Sequence, residues 1–144
     1  MVSVAGLVLA VAAVGLGEVT TLAGTPFQFG ELLGKGPVVL VFWNSWLPDS
    51  ESFAALLPEL DKEMARRGWQ GALILFQDEP AAAGLLGSSD RLVPLADRRG
   101  ELVRRFQVTR APAVVLLNAE GAVLGRAGHD RESVLRLLAQ GAGQ

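Results

Sequence analysis

Apolar residues recur along this chain in two rhythms, and the rhythm changes mark its elements. Residues 38–43, VVLVFW, are apolar without a break, the pattern of a strand covered on both faces. Residues 71–76, GALILF, repeat it. Between them, Phe53, Leu56, Leu57, Leu60 and Met64 stand at helical spacing within residues 49–67. Asp49 or Ser50 is suited to cap that helix, and Arg66-Arg67-Gly68 to end it.

Upstream, Glu18–Gly24 predicts a short strand and residues 29–36 a helical turn ending at glycine. Residues 77–90, QDEPAAAGLLGSSD, read as a loop with a short helix after Pro80, and RLVPLAD as a short strand or turn. GELVRRF is a helix with Leu102, Val103 and Phe106 inward. PAVVLLNAEGAVLGRAG is a hairpin turning at Asn118–Gly121. The last helix, Arg131–Gln140, carries Val134, Leu135, Leu137 and Leu138. Strand, helix, strand implies a parallel crossover, and the late hairpin adds antiparallel strands. The fold class is α/β: a mixed sheet with helices on both faces, in one domain from residue 18 to 144.

Composition narrows the chemistry. A chain of 144 residues, half hydrophobic and 19% charged, is globular, and a net charge of -2 gives no reason to expect nucleic acid. Eleven of thirteen basic residues are arginine, scattered from Arg66 to Arg136 among acidic neighbours, which reads as a solvated, salt-laced surface. Cysteine is absent, which excludes disulfides, thiolate metal sites and thiol catalysis. His129 is the single histidine, so a multi-histidine metal site is excluded as well.

Residues 1–17, MVSVAGLVLAVAAVGLG, carry no charge. They read as a signal peptide or membrane anchor, with a buried N-terminal element of the domain as the alternative. The first reading places the protein in the periplasm or tethered outside the cytoplasm; the second leaves a cytoplasmic location open.

Three segments carry a family resemblance. VVLVFWNSW is similar to the thioredoxin superfamily's strand running into Trp-Cys-x-x-Cys. PLADRRGELVRRFQV is similar to its stretch of Asp, Gly and a short helix, and VTRAPAVVLLNAEGAV to its proline-led strand and hairpin. From about residue 19 to 140 the chain resembles the extracytoplasmic thioredoxin-like disulfide reductases of the cytochrome-c-maturation type, which overlap with peroxiredoxin-type domains. The resemblance implies that Pro112, after Ala111, is the family's cis-proline, presenting a backbone edge beside the active turn to an extended substrate.

The departures concern sulfur. The family's active pair falls on Leu47 and Ser50, with Pro48 and Asp49 between them. Disulfide exchange needs a thiolate to attack and a second thiol to resolve the intermediate. Leucine offers no nucleophile, and a serine hydroxyl makes no exchangeable bond to sulfur. A polar strand residue, often found two positions before the turn's first tryptophan, is Val41 here. The family's helix proline usually follows the second cysteine by five residues, whereas Pro58 lies eight after Ser50. Either residues are inserted at the helix start or Phe53 takes the second position; no register finds a cysteine.

The same segments hold residue types of other chemistries. Asp49-Ser50-Glu51 with His129 has the residue types of a serine nucleophile set. In the resembled fold, however, His129 is expected well away from the turn, with Asp49 and Ser50 as caps and Glu51 in the first helical turn. The carboxylates of QDEP are too few for a hard cation. GLLGSSD lacks phosphate-loop spacing. Trp43 reads as core. Trp46, Leu47 and Pro48, with Ala111 and Pro112 opposite, read as an apolar binding patch.

The expected function is therefore a redox-inactive domain without cofactor or metal, binding a protein or extended peptide through Trp46, Leu47, Pro48, Ala111 and Pro112. The alternative is an accessory role in a disulfide reductase or peroxiredoxin-type system using thiols from a partner. A third is a scaffold in an envelope assembly.

Overall fold

The computed structural model describes residues 19–87 and 89–142; the apolar residues 1–17, with the anchor or signal expected of them, lie outside that range. The strands are β1 (Thr20–Thr21), β2 (Val38–Trp43), β3 (Gln70–Phe76), β4 (Leu92–Asp97), β5 (Ala113–Leu117) and β6 (Val123–Ala127). The helices are α1 (Ser50–Arg67), α2 (Glu101–Arg105) and α3 (Arg131–Gly141), with 3-10 segments at Phe29–Leu32 and Pro80–Leu86. The strands form one sheet in the order β1-β4-β3-β2-β5-β6. β2, β3 and β4 are mutually parallel, while β1, β5 and β6 each run antiparallel to their neighbour.

The unbroken apolar run of β2 has a direct cause. Val39, Val41 and Trp43 point into a core shared with α1 and α3, through Phe53, Leu60, Val134 and Leu138. Val38, Leu40 and Phe42 point the opposite way, into a core closed by Phe29, Leu102 and Phe106. Each face of the pleat has its own oil layer, so no position of the strand tolerates a polar residue. Val41, where the resembled family often carries a polar residue, is fully buried beneath α1.

Several expected boundaries move. The strand sought over Glu18–Gly24 shrinks to Thr20–Thr21, because Gly24 (φ 91°) turns the chain and its N–H donates to Thr21 O. RLVPLAD resolves into β4, a full parallel partner of β3. The hairpin turn at Asn118–Gly121 is as read: Asn118 Oδ1 accepts the N–H groups of Glu120 and Ala122, and Gly121 adopts φ 94°. α1 ends at Gly68 (φ 73°), and Asp130 caps α3 by accepting the Ser133 N–H at 2.9 Å.

The capping expected at the start of α1 is overturned. Asp49 occupies the cap position but its side chain makes no cap bond. Ser50 is buried, and its hydroxyl donates to Asn44 O at 2.6 Å, across the turn rather than along the helix.

β2 and β3 approach so closely at Gly71 that a Cβ there would lie 1.8 Å from Val39 O. Gly71→Ala must shift strand backbone, and should cost roughly 3 kcal/mol or leave the protein unfolded. Gly84→Ala, where a Cβ meets nothing within 4 Å, is the matched control. Thermal melts of both, with only the first destabilised, are the expected result.

Candidate functional site

The turn Asn44–Asp49 leaves the C-terminal end of β2 and is fastened rung by rung to the residues that leave β3. Asn44 Nδ2 donates to Phe76 O at 3.5 Å, a long bond, and the Oδ1 of this buried side chain has no protein partner. The next rung is stronger: the Ser45 N–H and Oγ–H both donate to Asp78 Oδ2, at 2.6 and 2.7 Å. Asp78 Oδ1 accepts the Glu79 N–H at 2.9 Å. On the third rung Trp46 Nε1 donates to Gln77 O at 3.0 Å. Gln77 sits at φ 50°, a left-handed conformation that costs a non-glycine residue about 1 kcal/mol and persists where its surroundings over-determine it.

Asp78 is thus the residue that sequence reasoning undervalued. Its two oxygens, part of the QDEP carboxylates, are taken up by backbone and hydroxyl donors. Partial burial raises its pKa, but the bonds from Ser45 and Glu79 outweigh that and hold the carboxyl below its ordinary range.

The other side of the turn is fastened to α1. Trp43, almost fully buried, donates its indole N–H to Ser50 O at 3.0 Å. Ser50 stands at the junction of turn and helix, and Phe53 lies one turn further on, wholly in the core. Leu47 is half-buried and packs at the fringe of the core beneath α2, as do Val103, Val108 and Ala111. Pro48 and Asp49 are exposed. Trp46 is the outlier, 59% exposed despite its anchored nitrogen.

Ala111 and Pro112 arrive from the other direction. β5 pairs antiparallel with β2 and places Ala113 against Phe42, so the two preceding residues lie at the edge where the Trp46 turn begins. The Ala111–Pro112 peptide bond is cis, and Pro112 is buried.

His129 does not lie where it was expected. Its Nε2 is 3.6 Å from Asp49 Oδ2, with both side chains about half exposed. The reason is parity. β6 is antiparallel to β5 and β5 to β2, so β6 runs alongside β2 in the same sense and ends at the same edge. The proximity does not assemble a nucleophile, because the Ser50 hydroxyl gives its proton to Asn44 O inside the protein. The neighbouring Arg131 forms a bidentate pair with Glu59, Nε and Nη2 donating at 2.7 Å each, which ties α3 to α1.

Asp97, at the end of β4, completes this edge. It is buried, and its Oδ2 accepts the N–H groups of Leu102 and Val103, fixing the start of α2. Burial pushes its carboxyl above the ordinary range, against the pull of those N–H groups, and the Glu101 charge adds to the rise.

Solved structures share this architecture. A secreted disulfide oxidoreductase of Mycobacterium tuberculosis, homologous to E. coli DsbE, superposes with a TM-score of 0.68 at 25% identity, over 90% of this chain and 98% of that one. DsbF of M. tuberculosis matches with a TM-score of 0.67 at 26% identity, over 88% and 96%. The exposed lipoprotein thioredoxin of Streptococcus pneumoniae has the same fold, with a TM-score of 0.64 at 19% identity over 85% and 96%. The fold is thioredoxin-like, and the chain is similar to thioredoxin-like disulfide oxidoreductases throughout that fold. No family model matches the chain, and no curated protein matches it. The chain itself holds no cysteine.

The Asp78 rung makes a measurable claim. Asp78→Ala should lower stability by roughly 2 kcal/mol, the value of bonds to a charged acceptor, and should speed hydrogen exchange at the Ser45 amide. The pH dependence follows from the direction of the shift. A carboxyl held below its unfolded pKa of about 3.9 stabilises the fold above that value and loses its effect as pH falls through the folded pKa. The stability gap between wild type and Asp78→Asn should therefore narrow on acidification below about pH 4, as read by chemical denaturation.

Proposed function

We propose that this is a redox-silent thioredoxin-like domain, working outside the cytoplasm, that binds an extended segment of a protein or peptide at the edge formed by Trp46, Leu47, Pro48, Ala111 and Pro112. The observation that carries this reading is Trp46. An indole with its nitrogen anchored and its ring in solvent, on a turn clamped from both sides, has lost its conformational freedom before any partner arrives. Its ring is then a low-cost anchor, of the kind that dominates interfaces. The residues leading into β5, which pair with neither β2 nor β6, offer backbone that an extended chain can pair with.

The extracytoplasmic placement is supported by the apolar residues 1–17 and by the similarity to a secreted oxidoreductase and an exposed lipoprotein. Among the described residues no helix is long and apolar enough to cross a membrane.

Catalysis of thiol exchange is not part of this reading, because the two positions at the head of α1 hold a methyl-tipped side chain and a buried hydroxyl. An insulin-reduction assay on the purified protein should give the buffer rate. A rate above buffer with no cysteine-bearing partner present would overturn the redox-silent assignment.

Binding is tested on an array of extended peptides. Trp46→Ala combined with Leu47→Asp should weaken capture by about tenfold or more, the scale of losing an aromatic anchor of 1–2 kcal/mol, in a protein that still melts cooperatively though at a lower temperature, since Leu47 also packs on the core. Equal capture by the variant would remove the proposed face.

A further inference from the structure

We infer that the partner segment is acidic, and that it is recognised by an arginine wall running along one side of this edge; the inference rests on the binding role proposed above. Residues 98–110, RRGELVRRFQVTR, hold five of the eleven arginines and a single glutamate, a net charge of +4 in a chain whose total is -2. The rest of the protein thus carries -6, and the segment is a charge inversion against its own background.

Its position gives that inversion meaning. The segment starts where β4 ends at Asp97, opposite Phe76, the residue that receives the first rung of the turn clamp. It then forms α2, whose Val103, like Val108 after it and Leu47 of the turn, packs on the core on that face of the sheet, and it ends at Arg110, directly before the cis Ala111–Pro112 bond. A cavity of about 200 Å³ opens beside it, between Gln107–Arg110 and Arg126–Gly128. Arg104 is spent on Glu101 at 3.5 Å and on the Arg99 carbonyl. Arg98, Arg105 and Arg110 are exposed and, among the described residues, have no carboxylate within ion-pair distance. Of the three, Arg110 lines that cavity, and exposed arginines without a carboxylate favour a partner that brings one, through screened attraction and bidentate hydrogen bonds.

The opposite side of the same turn argues for an extended peptide over an anionic membrane. Asp49, Glu51 and Glu79 are exposed there, with Asp78 among them. A flat anionic surface laid over this edge would meet those carboxylates together with the arginines. A single extended chain meets only the wall it lies against.

The test uses the full-length protein and labelled peptides that alternate valine with glutamate, with lysine or with serine. The glutamate peptide should bind about tenfold more tightly than the lysine peptide, the scale of two or three surface ion pairs, and added salt should erase the difference. Arg105→Glu with Arg110→Glu should abolish or reverse the preference; Arg105→Gln with Arg110→Gln, a milder change, should remove it while leaving the melt unchanged. Equal affinity for all three peptides, still dependent on Trp46, would sink the acidic preference and leave the binding face standing. No binding of any peptide would sink both. Capture of phosphatidylglycerol vesicles through Arg105 and Arg110, in preference to the glutamate peptide, would replace the peptide with a lipid surface.

Discussion

Everything at the functional edge depends on the clamp between residues 44–46 and 76–78. Two parallel strands end side by side, and the chain leaving each must go somewhere. Here the two exits are laced together, with the Asp78 carboxylate bridging main chain to hydroxyl. Without that lacing, Trp46 would be an exposed tryptophan on a free loop, and binding through it would carry the entropy of ordering the loop. With it, the indole is a fixed feature of the surface, and Gln77 is held in a backbone conformation it would not choose.

The clamp also explains how an oxidoreductase corner persists without sulfur. Leu47 and Ser50 have each taken up structural work that suits their chemistry. Leu47 turns partly inward, onto the fringe of the core under α2. Ser50 uses its hydroxyl to close the turn on Asn44 O, in a buried setting where a lost hydrogen bond costs more than the bond itself gains. Placing cysteines at positions 47 and 50 would therefore disturb the turn. It would take away that hydroxyl bond and an apolar contact.

Elements whose evidence is local were legible in the sequence. β2 and β3 are continuous apolar runs because both faces are covered, and the helical spacing of Phe53 through Met64 survives intact as the buried face of α1. Trp43 was read as core and is core. What escaped was set by the parity of distant strands. His129 was expected far from the turn, yet β6 returns to the same edge as β2 and brings it to Asp49. The expected caps failed for a related reason. Ser50 at a helix start looks like a cap by propensity, but the turn before it presents Asn44 O, a carbonyl that only the folded turn creates. Asp78 was hidden because its partner, Ser45, lies more than thirty residues earlier.

The arginines show the same limit in electrostatic form. Along the sequence they alternate with acidic residues often enough to suggest a neutral, salt-laced surface, and at Glu63, Glu59 and Glu132 that is what forms. Pairing is spatial, however. The carboxylates nearest to residues 98–110 in sequence are Asp97 and Glu101, and both are committed: Asp97 is buried against the start of α2, and Glu101 faces Arg104. The remaining acidic groups of the edge lie across the turn, where the clamp holds Asp78 and its neighbours. The fold thus separates charges that the chain interleaves: Arg98, Arg105 and Arg110 are exposed without a carboxylate at ion-pair distance among the described residues, while Asp49, Glu51 and Glu79 are exposed where the two strand exits are laced together. For the acidic segment proposed above, such an edge would discriminate direction as well as composition. Set one way round, the carboxylates of that segment would face the arginines; reversed, they would face Asp49 and Glu79, and the repulsion would disfavour that orientation.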